Sequence, residues 1–211
     1  MERGPWAENL KIILASQSPA RRRLLKRVGV KFSVQSPRVD EDAFKVKIRK
    51  ADRLVATLAR EKAREVFLRF PQTVVIGSDQ MVVRGSKLLG KPKTFSGAVA
   101  QLTECSGKTI RLLTAVCVVS SGTEHVHVDV TRMKFRQLGR EEIEAYVKAD
   151  QPFECAGSFM FEKRGLSLFE SVETQDPSAI EGLPVMMTLS LVQKTFLQVH
   201  GVRSAGPVKL T

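Results

Sequence analysis

A chain of 211 residues, 43% hydrophobic and 27% charged, is long enough to bury a sizeable core and too balanced to be disordered or fibrous. Its net charge of +12 points to an anionic partner, either nucleic acid or a small polyanion such as a triphosphate, unless the basic residues only solvate the surface. One Trp and one Tyr supply few stacking platforms for single strands, so nucleic acid is not the expected partner.

Leu10 to Ala15 reads as a buried strand. Ser18 suits the N-cap and Pro19 the first position of a helix that runs to Val28 and stops at Gly29. Val30 to Gln35 reads as a second strand, and Pro37 to Lys47 as an acidic loop containing Val39-Asp40-Glu41. Leu54, Val55, Leu58, Ala59 and Val66 line the apolar face of a helix from Ala51 to Phe70, ended by Pro71. Thr73 to Ile76 is a strand that delivers Gly77-Ser78-Asp79-Gln80, and Met81 to Leu89 has the pattern of a hairpin around Gly85-Ser86. A short helix from Ser96 to Cys105 precedes two long strands, Ile110 to Val119 and Glu124 to Phe135. Arg140 to Lys148 is a helix, and Gly182-Leu183-Pro184 opens a last helix reaching about His200. This mixture predicts an α/β protein whose sheet is not purely parallel.

One domain over 1–211 is expected, with loose tails at 1–9 and 202–211. No apolar run has membrane-spanning length, and Leu10 to Ala15 is too short for a signal peptide, so a cytoplasmic protein away from membranes is expected. Cys105, Cys117 and Cys155 are odd in number, widely spaced and set in apolar stretches, which predicts buried reduced thiols.

Three stretches can carry chemistry. Arg21, Arg22 and Arg23 occupy the opening turns of a helix, where the dipole disfavours cations. An anion bound between them and the free N–H groups, with Ser16 and Ser18 as further donors, would explain the cluster as well as a solvated basic face does. Asp79, at the end of a hydrophobic strand, suits metal binding or activation of water; read alone, it is more simply a turn Asp bonded to its own backbone. Glu41, Lys62 and Lys91 are ordinary surface charges one by one, and a clamp for a metal-bound polyphosphate as a set. Ser106-Gly107-Lys108-Thr109 is not a P-loop, because Leu102 stands where the earlier Gly is required and a strand follows. His125 and His127 alternate on a strand with no third ligand evident, so an exposed face is expected there.

The ordered set Ser16-Gln17-Ser18-Pro19-Ala20-Arg21-Arg22, Val39-Asp40-Glu41, Ala59-Arg60-Glu61-Lys62-Ala63, Gly77-Ser78-Asp79-Gln80, Gly90-Lys91-Pro92 and Gly182-Leu183-Pro184 resembles the Maf (septum-formation) nucleotide pyrophosphatases over roughly residues 10 to 200. The resemblance implies an α/β fold with an elongated mixed sheet, flanking helices and a cleft between two lobes, similar to the inosine-triphosphate pyrophosphatases. It implies hydrolysis of a nucleoside triphosphate between the α and β phosphates, with Mg²⁺ or Mn²⁺ as cofactor. Asp79 would be the catalytic proton acceptor and would share the metal with Glu41; Ser16, Arg21, Arg22, Lys62 and Lys91 would hold the phosphates.

Gln80, together with Cys155-Ala156-Gly157-Ser158-Phe159 and Glu162, resembles the YceF type, a 7-methyl-GTP pyrophosphatase subfamily. A carboxylate at Glu162 suits N7-methylguanine, which is cationic. The YceF type often has Trp before the Arg; Ala20 stands here and has no ring to stack on that base. The alternatives are the same reaction on dTTP, UTP or a broad range, a family member that only binds nucleotides, and a basic nucleic-acid-binding protein. A homodimer is compatible with all of them.

Overall fold

The computed structural model describes residues 11–199. The expected tails, Leu10 and His200 lie outside the described residues. The strands are β1 (Ile12–Ala15), β2 (Ser33–Val34), β3 (Val74–Arg84), β4 (Lys87–Leu89), β5 (Thr109–Ser120), β6 (Thr123–Phe135) and β7 (Phe169–Glu173). The helices are α1 (Pro19–Arg27), α2 (Glu41–Lys47), α3 (Ala51–Arg69), α4 (Phe95–Cys105), α5 (Arg140–Asp150) and α6 (Val185–Val199). No helix among the described residues is long and apolar enough to cross a membrane.

The strands form one mixed sheet in the order β2-β1-β3-β5-β6-β7, with β4 folded back on β3. β1 runs parallel to β2 and β3, and the remaining pairings are antiparallel. This bears out the expected mixed sheet. The P-loop look-alike is indeed no P-loop, because β5 starts at Thr109.

Alternation along the strands assigns each face to its own helices. Ile13, Val75, Ala115 and Cys117 pack against Leu54, Leu58, Ala59 and Val66 of α3. Leu14, Ile76, Val116 and Val118 pack on the opposite face with Leu24 and Leu25 of α1 and Val192 of α6. Each fully buried Leu stabilises the fold by roughly 2 kcal/mol. Farther along β3 and β5, a third core joins Val82 and Leu112 to α4, α5 and three rings. Phe135 and Phe169 have centroids 4.4 Å apart, and Phe159 meets Phe169 at 5.1 Å. β3 and β5 therefore run through two packed ends of one sheet.

Three expectations are corrected. The acidic stretch before Lys47 is a helix from Glu41. Asp40 caps it by accepting from the Ala43 N–H at 3.2 Å, with Glu41 and Asp42 in the first turn and Lys45 and Lys47 in the last, the favourable dipole order. The strand expected at Val30 to Gln35 shrinks to Ser33–Val34, an edge piece paired only with β1. β3 does not end at Ile76; it continues through the Gly77 to Gln80 motif to Arg84 because β5 pairs with it from Val75 to Val83.

Candidate active site

The site begins at an interruption in the sheet. On one side β3 pairs continuously with β5. On the other it pairs with β1 as far as Gly77 and with β4 from Val82 onward. Residues 78–81 have no strand partner there among the described residues. The chain leaves β1 after Ala15 and turns through Ser16 to Ser18 into α1. Ser16 Oγ accepts from the Ser18 N–H at 3.1 Å, and Ser18 Oγ caps α1 by accepting from the Arg21 N–H at 3.4 Å.

That turn sends Arg21 into the interruption. Its Nη1 donates to the Ser78 carbonyl at 2.8 Å and to Ser16 Oγ at 3.2 Å, and its Nε donates to the Gly182 carbonyl at 2.8 Å. A guanidinium thus satisfies a backbone group that a neighbouring strand would otherwise pair. Burial pulls the Arg21 pKa below its usual value, opposed by Asp79 and Glu41.

Asp79 lies in mid-strand rather than in a turn. Its side chain shares the α3 face with Gly77, two residues away. Gly77 is what brings α3 close: a Cβ there would fall 2.3 Å from the Ala59 carbonyl oxygen and 2.7 Å from the Ala63 nitrogen. With the helix seated on bare backbone, Lys62 Nζ reaches Asp79 Oδ1 at 2.7 Å and Glu41 Oε1 at 2.7 Å. Asp79 and Lys62 are 7% and 8% exposed, so water screens this pair little. Burial raises the Asp79 pKa above the ordinary carboxylate value, against the opposing pull of Lys62 and then Arg21. Desolvation prevails over ion pairing here, and it leaves Asp79 a stronger base than an exposed aspartate.

Five of the expected residues, Ser16, Arg21, Glu41, Lys62 and Asp79, therefore come together from the turn after β1 and from α1, α2, α3 and β3. Other expected residues are placed differently. Gln80 points to the opposite sheet face, where its Nε2 donates to the carbonyls of Ala179 (2.8 Å) and Ile180 (3.3 Å) and to Thr114 Oγ1 (3.0 Å). Lys91 pairs with exposed Glu154 at 3.4 Å, which also takes Lys93 at 2.8 Å. Glu162 is exposed and 3.8 Å from Arg23 Nη2. Ala20 is half-buried beside Arg21; Arg22 is also half-buried, with a buried Nε that has no hydrogen-bond partner among the described residues. Two surface concavities, of about 420 and 630 Å³, are lined by none of these residues.

Sequence reasoning gave no role to Ser78 or Thr114, and although the motifs around Asp176 and Gly182 were visible it did not predict the turn between them. Ser78 Oγ donates to the same Gly182 carbonyl at 3.0 Å. The pattern Asp176-Pro177, a cap followed by Pro at the first position, was a legible signal for the 3-10 turn Pro177–Glu181. His125 hydrogen-bonds Gln198 at 2.9 Å, and no group of three or more His, Cys, Asp or Glu converges as a metal site among the described residues. Cys105 and Cys117 are buried as expected, which pushes their thiols up to about 11 and about 12. Cys155 is a correction: in the loop before the turn Ala156–Ser158 it is only half-buried.

The buried Asp79–Lys62 pair, extended by the partly exposed Glu41, thus lies beside Arg21 at the interruption in the sheet. The sequence matches the family described as Maf-like protein over residues 11–195, and the chain belongs to that family. The 7-methyl-GTP pyrophosphatase of Albidiferax ferrireducens is 42% identical over 193 residues, 90% of this chain and 96% of that protein. Those of Nitrosococcus oceani and Pseudomonas putida are 39% and 40% identical, covering 87% and 88% of this chain and 92% and 96% of their own. Among solved structures, a HAM1 protein from Coxiella burnetii aligns over 88% of this chain and 99% of that chain, at 14% identity and a TM-score of 0.45.

Proposed function

We propose that this chain is a nucleoside triphosphate pyrophosphatase that cleaves the α–β anhydride, releasing a monophosphate and pyrophosphate, with 7-methyl-GTP as its preferred substrate. The observation that carries the reading is the convergence of Asp79 and Glu41 on one cation position, each 2.7 Å from Lys62 Nζ, beside Arg21. Relatives about 40% identical that bear the name 7-methyl-GTP pyrophosphatase support it.

Lys62 engages Asp79 Oδ1 and Glu41 Oε1, and the second oxygen of each carboxylate is a hard donor that suits Mg²⁺ or Mn²⁺, which commonly take one or two protein carboxylates and complete their shell with phosphate oxygens and water. Glu41 and Asp79 would hold the ion, which when bound acidifies water and offsets phosphate charge. Asp79 accepts the proton of the water that attacks the α-phosphorus in line. The new bond joins that water oxygen to phosphorus, and the bond to the bridging oxygen breaks with pyrophosphate leaving. Lys62 fixes the orientation of the Asp79 carboxylate. Arg21 is held through Nε and Nη1, and its Nη2, which takes no part in those bonds, remains to grip phosphate. On this reading the enzyme works in the cytoplasm on a free nucleotide, alone or as a homodimer.

A second reading, the same reaction over a broad range of bases, is favoured by two observations. Ala20 has no ring to stack on a cationic base, and Arg23 already engages Glu162 at 3.8 Å. A pyrophosphate-release screen over canonical and modified triphosphates with Mg²⁺ and Mn²⁺ tests both. Asp79→Asn is expected to lower kcat by about 10²–10⁴-fold with the fold intact. Turnover at the wild-type rate in that variant sinks the mechanism, and equal kcat/KM on dTTP and 7-methyl-GTP selects the broad range.

A further inference from the structure

Arg21 is held by two carbonyls, those of Ser78 and Gly182, and the Gly182 carbonyl also takes the Ser78 hydroxyl. The backbone on either side of that carbonyl is fastened by a buried carboxylate elsewhere. Asp176 is 4% exposed. Its Oδ1 accepts from the Ser178 N–H at 3.0 Å and lies 2.5 Å from Ser178 Oγ; its Oδ2 accepts from the Met186 N–H at 2.7 Å. Ser178 Oγ in turn accepts from the Val185 N–H at 2.8 Å and lies 3.0 Å from the Leu183 carbonyl. The carboxylate and the hydroxyl therefore bracket Gly182 from both sides, fastening the turn before it and the start of α6 after it. Thr174 Oγ1 donates to the Asp176 carbonyl at 3.1 Å and accepts from Thr131 Oγ1 of β6 at 2.9 Å, which ties the bracket to the sheet. Gly182 itself sits at φ 109°, a conformation that needs a firm surround because little but glycine adopts it.

We infer that Asp176, through Ser178, is a positioning residue for the reaction proposed above: it holds the Gly182 carbonyl that aims the Arg21 guanidinium at the substrate phosphates. The inference rests on that reading. Among the described residues none of the hydrogen bonds of Asp176 reaches the Asp79 cluster; the turn it caps meets that region through Arg21, at Gly182, and through Gln80, at Ala179 and Ile180, and the test below separates the two. Burying a carboxylate costs free energy unless donors satisfy it. Three donors do so here, and their other task is to fix the backbone on either side of Gly182.

The test is a double-mutant cycle on the full chain. Asp176→Asn is expected to lower kcat/KM for pyrophosphate release at least tenfold, and less than twofold when Arg21→Lys is already present, because Lys has no Nε–H to donate to Gly182. Equal losses in both backgrounds mean Asp176 does not act through Arg21, and they overturn the inference. Where Asp176→Asn fails to fold, Ser178→Ala, which removes only a hydroxyl, runs the same cycle. A second readout needs no activity: the Arg21 Nε–H, followed by NMR, is expected to exchange at least tenfold faster in Asp176→Asn or Ser178→Ala than in wild type. Unchanged exchange overturns the inference. A wild-type chain inactive on every triphosphate defeats the functional reading, and the exchange measurement still decides the role of Asp176.

Discussion

Replacing Gly77 with Ala places a methyl group where α3 rests on β3. The nearest atoms are backbone, the Ala59 oxygen at 2.3 Å and the Ala63 nitrogen at 2.7 Å, so no rotamer change relieves the clash. Ordinary contact begins near 3.4 Å, and α3 must therefore withdraw by about 1 Å. Overpacking of this kind costs about 1–3 kcal/mol, which for a chain of this size lowers Tm by roughly 2–12 °C. The same shift carries Lys62 away from Asp79 and Glu41, whose bonds to it are 2.7 Å long. A 1 Å misplacement of a reacting constellation can cost about 100-fold in rate. Gly77→Ala is therefore expected to lose both stability, read by thermal unfolding, and kcat/KM for pyrophosphate release. Adding Ala63→Gly is expected to give no rescue, because the shortest contact is to the Ala59 carbonyl. A variant with Tm within 1 °C of wild type (about the precision of such a melt) and kcat/KM within about twofold would refute this account of why the motif begins with glycine.

Further outcomes concern charge. Because burial raises the Asp79 pKa in the folded chain, its ionisation weakens the fold: stability from this group is full below the unfolded value of 3.8 and is lost as pH rises through the folded value. Asp79→Asn is thus expected to raise Tm of the metal-free chain at neutral pH, with the gain fading as pH falls towards 3.8; a Tm gain that does not fade in acid contradicts the raised pKa. Lys62→Met leaves two carboxylates facing one empty point and is expected to destabilise by up to about 3–5 kcal/mol, less in so far as Glu41 is 42% exposed. Mn²⁺ should then raise Tm more in that variant than in wild type, and equal shifts would argue against Glu41 and Asp79 as the metal pair. At pH 8, iodoacetamide is expected to label Cys155 ahead of Cys105 and Cys117, whose thiols lie near 11 and 12; labelling of all three at one rate in the intact-mass spectrum would contradict their burial.

The sequence alone determined what depends on neighbours a few residues away. The Ser18-Pro19 cap, the apolar stripe of α3, the hairpin at Gly85 and the paired long strands were legible because capping, helical period and strand alternation are local. The candidate centre was legible only as an ordered set of motifs, since no single charge in it stood out. Tertiary structure decided which of those charges meet. Lys62 and Asp79 are 17 residues apart, and Arg21 and Gly182 are 161 apart. It also decided that Asp79 and Gln80, adjacent in sequence, serve opposite faces of the sheet, a consequence of continuing β3 through the motif. Lys91 goes to Glu154 and Arg23 to Glu162 because long side chains take the nearest opposite charge, and which charge is nearest is fixed by how the elements pack. Asp79, in isolation an unremarkable turn aspartate, becomes a buried carboxylate paired with Lys62 because the strand beside it stops at Ala15 and the helix above it rests on Gly77.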